Sequence, residues 1–130
     1  MSTFLFTNSN GGSSGGSTLR IVGQPGNAVG VRNGYGTVRT NSVSVDVVGG
    51  TPPYTYLWNQ VGTSDPDVVP NASLHTCYFS AFVSSPPYWS FTNWECTVTD
   101  SATPVANTVI SNVVAVSLDV LDTSGGGFIP

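Results

Sequence analysis

Ten consecutive residues, Gly49-Gly50-Thr51-Pro52-Pro53-Tyr54-Thr55-Tyr56-Leu57-Trp58, constrain the fold of this chain more than any others. A Gly-Gly turn followed by Pro-Pro starts a strand cleanly, because proline lacks the amide that a central ladder needs and is tolerated at a strand's first residue. Beyond it Tyr54, Tyr56 and Trp58 alternate with Thr55 and Leu57, and a period of two puts all three aromatics on one face. Trp58 is the expected core anchor. A later run, Trp94-Glu95-Cys96-Thr97-Val98-Thr99-Asp100, reads as a second strand of the same body.

Composition agrees with an all-β chain. Of 130 residues 39% are hydrophobic and only 8% charged, with fifteen Gly and nine Pro. That length suits one domain with a real core; a sandwich of about seven strands uses roughly 100 residues, which leaves the remainder for arms. Lysine is absent, and Arg20, Arg32 and Arg39 face seven acids for a net charge of -4. Nucleic-acid binding needs clustered cations, so no nucleic-acid partner is expected. The acidic balance serves solubility, while sparse charge suits a surface buried against neighbours. No stretch reaches the roughly 20 apolar residues of a membrane span, and Met1-Ser2-Thr3-Phe4-Leu5-Phe6 has neither the basic start nor the length of a secretory signal. The expectation is a chain made in the cytoplasm, with no membrane partner.

Four regions are expected. Residues 1–18 form an arm in which Asn10 to Ser17, a Gly/Ser linker, separates the apolar Phe4, Leu5 and Phe6 from the body. Residues 122–130 mirror it, with Ser124-Gly125-Gly126-Gly127 leading to Phe128, Ile129 and Pro130. Between them, residues 19–41 read as a short β-hairpin region packed on or before the sandwich. There Asn33-Gly34 sits between Ala28-Val29-Gly30-Val31-Arg32 and Tyr35-Gly36-Thr37-Val38-Arg39, the pattern of a tight type I′ hairpin, and the three arginines are expected to line one edge. Residues 42–121 form a two-sheet sandwich. Its strands begin with Ser42 to Val47, whose three valines point inward, and end with Val109 to Val120, where Val114, Val116, Leu118 and Val120 share a face. Between these lie strands over Leu74 to Val83 and Tyr88 to Thr99 and a loop over Gly62 to Ser73.

Candidates for chemistry are few. His75 is the single histidine, placed on a strand two residues from Cys77 and so on the same face; without a third orienting group the pair reads as a chance neighbour, and no enzyme is expected. A calcium site would need loops at one end of a sandwich to gather Asp65, Asp67 and Asp100, but turn-starting by aspartate explains all three, and neither a metal nor a cofactor is expected. Zinc lacks a ligand set. Tyr88 and Trp89, beyond Pro86-Pro87, are candidate carbohydrate contacts, whereas Trp94 and Cys96 with Trp58 read as structural core. Asn71-Ala72-Ser73 matches a glycosylation sequon that carries no weight without secretion. Cys77 and Cys96 can pair or simply fill space.

The Gly49 to Trp58 run together with Cys96-Thr97-Val98-Thr99-Asp100-Ser101 resembles PKD-like and related bacterial or phage immunoglobulin-like domains, over roughly Ser42 to Val120. The resemblance implies an immunoglobulin-like two-sheet sandwich. Two departures stand out: Ala102-Thr103-Pro104 replaces the usual Gly after Asp-Ser, and both cysteines follow Trp58, so the bridge of antibody domains is absent. Such a module serves adhesins, secreted enzymes and virion proteins alike. A module with apolar arms on glycine tethers looks most like a tailed-phage capsid decoration or cement protein. The expected partners are the major capsid protein and copies of itself, through Phe4, Leu5, Phe6, Phe128 and Ile129, and the expected location is the virion. The alternative is a tail or fibre module that binds a host surface glycan.

Overall fold

A computed structural model describes residues 17–62 and 64–122 of the chain. Twelve strands and no helix occur among them: β1 (Arg20–Gly23), β2 (Ala28–Asn33), β3 (Gly36–Arg39), β4 (Val43–Ser44), β5 (Asp46–Val48), β6 (Thr55–Val61), β7 (Val69–Pro70), β8 (Thr76–Cys77), β9 (Phe79–Val83), β10 (Tyr88–Thr99), β11 (Thr108–Ile110) and β12 (Val114–Leu121). Since no helix exists there, none crosses a membrane.

One layer is built on β10, the longest strand. β12 pairs with it antiparallel over Tyr88 to Trp94, β6 pairs with it over Asn93 to Thr99, and β11 covers its last three residues. β2 joins the outer side of β12 in parallel. The other layer is assembled from short ladders along two continuous runs of chain: β3 on β9, β4 on β8, β1 on β5, and β7 on the far side of β9. Backbone bonds stitch these pieces together, Thr40 N–H to the Phe79 carbonyl at 2.9 Å and Val45 N–H to the His75 carbonyl at 2.9 Å. Two layers in this order, antiparallel except where β2 joins β12, close face to face into an immunoglobulin-like β-sandwich.

Side-chain alternation explains why the layers stick. Along β10 and β12 every second residue is buried, and Val114, Val116, Leu118 and Val120 are completely enclosed, as their shared face requires. Val43 and Val45 are buried and Val47 half-buried, so the inward valines also fall as expected. Trp58 (4% exposed) packs edge-on against Phe79 at 5.8 Å, and its indole N–H donates to the Leu74 carbonyl at 2.9 Å. Trp94 lies against the other side of Phe79 at 4.9 Å and donates to the Thr92 hydroxyl. Phe79 thus locks the two tryptophans of one layer to the other layer, with each polar indole hydrogen satisfied.

The hairpin expected across Asn33-Gly34 does not form. β2 enters the β10 layer beside β12, whereas β3 enters the opposite layer beside β9, so the turn carries the chain between sheets. Gly34 (φ 76°) supplies the left-handed residue at that crossing, and its amide donates to the Leu121 carbonyl at 2.8 Å. Where β2 passes β3, Gly30 gives the clearance: a Cβ there would sit 2.4 Å from the Arg39 carbonyl oxygen. Residues 19–41 therefore supply strands to both layers. The arginines do not share an edge either, since Arg20, Arg32 and Arg39 stand on β1, β2 and β3 in two layers, and Arg39 lies 4.9 Å over the Tyr78 ring. Smaller differences are breaks rather than reversals. Tyr78 separates β8 from β9, Ser111 to Val113 separate β11 from β12, and the loop from Gly62 to Ser73 contains β7.

Candidate functional site

The two ends of the sandwich are held by aspartates. Asp100 follows β10 directly and is 5% exposed; its carboxylate accepts from the Asn107 side chain (2.9 Å) and from the amides of Asn107, Ala102 and Thr51. Asn107 foremost, through side chain and amide, holds this carboxyl down at about 2, with the other amides adding to the effect. At the opposite end Asp65 accepts from Ser90 (2.6 Å), Tyr88 (3.0 Å) and the Asp67 amide, and the Ser90 hydroxyl leads in lowering its carboxyl below the usual range. Gln60 clasps the Asp65 backbone through both its amide atoms. Asp65 and Asp100 are separated by the whole of β10, so they do not share an ion; Asp65 ties its loop to Tyr88 and Ser90 of β10, and Asp100 closes the loop that ends at Asn107.

His75 and Cys77 do not form a pair. His75 lies in a bend before β8, exposed, with its ring tilted on Tyr56 at 5.9 Å. Cys77 is 1% exposed and its thiol donates to the Tyr78 carbonyl. Cys96 is fully buried opposite Trp58 in the ladder, and burial pushes its thiol up to about 11. Both cysteines are free thiols. No thiolate nucleophile results from such surroundings.

Neighbouring residues on a strand face opposite ways, and this separates the two candidate carbohydrate contacts. Tyr88 turns inward, half-buried, to bond Asp65; Trp89 turns outward and is 70% exposed. Trp89 is instead joined by Phe91, two residues on, which is 53% exposed. Register extends this face across three strands. Trp89 stands opposite Asp119 of β12, which stands beside Val31 of β2; Phe91 stands opposite Ser117, which stands beside Val29. Asn93 opposite Ala115 continues the face. Val29 and Val31 are more than half exposed, Asp119 and Ser117 half-buried between their apolar neighbours. The sequence carried a signal for Phe91, its spacing from Trp89 on an expected strand; Val29, Val31, Ser117 and Asp119 arrive there only through pairing.

Phe4, Leu5, Phe6, Phe128 and Ile129 lie outside the described residues. The described chain enters and leaves at opposite ends of the body. Ser17, at its start, accepts from the Gly50 amide, next to Thr51 and Asp100 at the far end of β10, whereas Leu121 accepts from Gly34 beside the Tyr88 end. The twelve residues of β10 put these ends about 35 Å apart.

The SprB repeat family matches residues 40–63, a segment centred on the Gly49 to Trp58 run and well under half of the chain. No curated protein matches. Similar solved structures include a protein of unknown function from Porphyromonas gingivalis W83 (13% identity, TM-score 0.46, 85% of this chain and 50% of that one). The titin M3 domain is another (15%, 0.36, 79% and 96%). A third is the N-terminal Ig1-2 module of the Drosophila receptor protein tyrosine phosphatase DLAR (14%, 0.39, 85% and 53%). The chain thus spans half the length of the Porphyromonas protein and nearly all of the titin domain.

Proposed function

We propose that this chain is a non-enzymatic structural protein of a bacteriophage virion, a capsid decoration or cement protein whose immunoglobulin-like body is fastened by the segments that flank it. The observation that carries this reading is the position of the two exits. Apolar residues on Gly/Ser tethers flank the body at both ends, Phe4 to Phe6 before it and Phe128 to Ile129 after it. Entry and exit at opposite poles, about 35 Å apart, let each flank reach a different neighbour, which is what a bridging cement requires. A segment that adds a strand or fills a groove on a capsid subunit gains affinity through main-chain bonds and side-chain pockets, and repetition over a shell multiplies each contact. The body supplies no competing role of the catalytic kind among the described residues: the thiols are sealed in the core, Asp65 and Asp100 are engaged by Ser90, Tyr88 and Asn107, and His75 stands without a nucleophile beside it.

Binding to purified phage heads lacking the decoration tests the reading. Deletion of residues 1–10 is expected to abolish particle association while leaving a soluble, folded sandwich, and removal of residues 123–130 is expected to weaken it. Normal binding by the truncated chain would overturn the assignment of the N-terminal segment as anchor.

A further inference from the structure

The outer face of the β10 layer has a composition that neither the core nor a decoration role explains. Two aromatic side chains, Trp89 and Phe91, stand on one strand about 7 Å apart, and two valines, Val31 and Val29, stand about 10 Å away across β12. Between the two apolar columns run Asp119 and Ser117. Neither side chain, nor Asn93 below them, has a hydrogen-bond partner among the described residues, in contrast to Asp65 and Asp100, whose oxygens are fully engaged.

We propose that this face is a carbohydrate-binding platform for a neutral glycan, with Trp89 and Phe91 stacking on sugar rings and Asp119, Ser117 and Asn93 receiving or donating hydroxyl hydrogen bonds. A sugar ring is amphipathic in the required way: flat C–H faces suit an aromatic ring, and equatorial hydroxyls donate to a carboxylate at the ring's edge. Asp119 decides between occupants. A second copy of the chain seated face to face here would bury Asp119 without a cation, because the outward rows of β10, β12 and β2 contain none. The flanking segments carry no cationic side chain either, so Phe4 to Phe6 and Phe128 to Ile129 would leave the same carboxylate unpaired. An anionic glycan would meet it directly. A neutral glycan satisfies it with hydroxyl donors. This inference is independent of the decoration reading, since it concerns the body and not its attachment.

An array of neutral and sialylated or phosphorylated oligosaccharides, probed with the full chain, tests the proposal, followed by titration of the strongest neutral hit. Trp89→Ala and Phe91→Ala are each expected to weaken binding about tenfold or more, Asp119→Asn to weaken it measurably, and Val105→Ser, exposed but remote from β10's upper half, to leave it unchanged. Trp89, Phe91 and Val105 are exposed and Asp119 is half-buried on the outer face, so circular dichroism should show an unaltered fold. Trp89 is the one exposed tryptophan among three, so binding should also protect indole fluorescence from iodide quenching in the wild type and not in Trp89→Ala. Absence of any neutral hit, hits confined to anionic glycans, or neutral binding indifferent to Trp89→Ala would each overturn the proposal. So would sedimentation showing a dimer that Trp89→Ala dissociates, which would assign the face to a second copy.

Discussion

A few residues carry far more of the stability than their number suggests, and each does so by a different physical route. Trp58 and Trp94 grip Phe79 from two sides, so Trp58→Ala removes ring contacts and leaves a cavity between the layers; a loss of about 3–5 kcal/mol in chemical denaturation is expected. Asp100 acts through charge. Its carboxyl titrates at about 2 in the folded chain against an ordinary 3.8, so its contribution is present in full above about pH 4 and is lost as pH falls towards 2. The melting temperature of the wild type should therefore drop more steeply from pH 4 to pH 2 than that of Asp100→Asn, and equal slopes would deny the aspartate this role. Cys77 and Cys96 act only as small apolar groups. Burial raises both thiols, so a thiol reagent at pH 8 should modify neither in the native chain within the time it needs to titrate two in denaturant.

At the scale of elements, strand identity was local information and strand partnership was not. β10 runs over Tyr88–Thr99, the segment its own alternation marks out, whereas the strand expected over Val109 to Val120 is split into β11 and β12 by Ser111 to Val113. Asn33-Gly34 is a strong turn signal, yet a turn says only that the chain reverses; whether the next strand pairs with the last or crosses to another sheet depends on what already occupies the edge. Here β12 takes β2 and β9 takes β3. Gly30 marks the place where the two strands part, and Gly30→Ala would force a Cβ onto the Arg39 carbonyl. Backbone cannot yield there as a flexible side chain would, so a loss of about 2 kcal/mol or more, read as a lowered denaturation midpoint, is expected.

The described residues form a two-layer body with one continuous hydrophobic core between its layers. A chain trimmed to residues 17–122 should accordingly unfold in one cooperative transition within a few degrees of the full-length chain, while losing the particle association assigned to its flanks. Body and flanks then separate cleanly: one measurement follows folding, the other attachment, and the glycan platform belongs to the former.

Alternation of side chains is a property of adjacent residues, which is why the sequence alone specified an all-β chain, the inward valines and the burial of Trp58, Trp94 and Cys96. It also held the cue that Tyr88 and Trp89 face opposite ways, since neighbours on any strand must. The crossing at Gly34, the scattering of three arginines over two layers and the meeting of Trp89 with Asp119 and Val31 depend on pairings between residues as much as 88 positions apart, as when Ala115 donates to Asn27. Such contacts are selected by the burial of both layers at once, a condition that no short stretch of chain can encode.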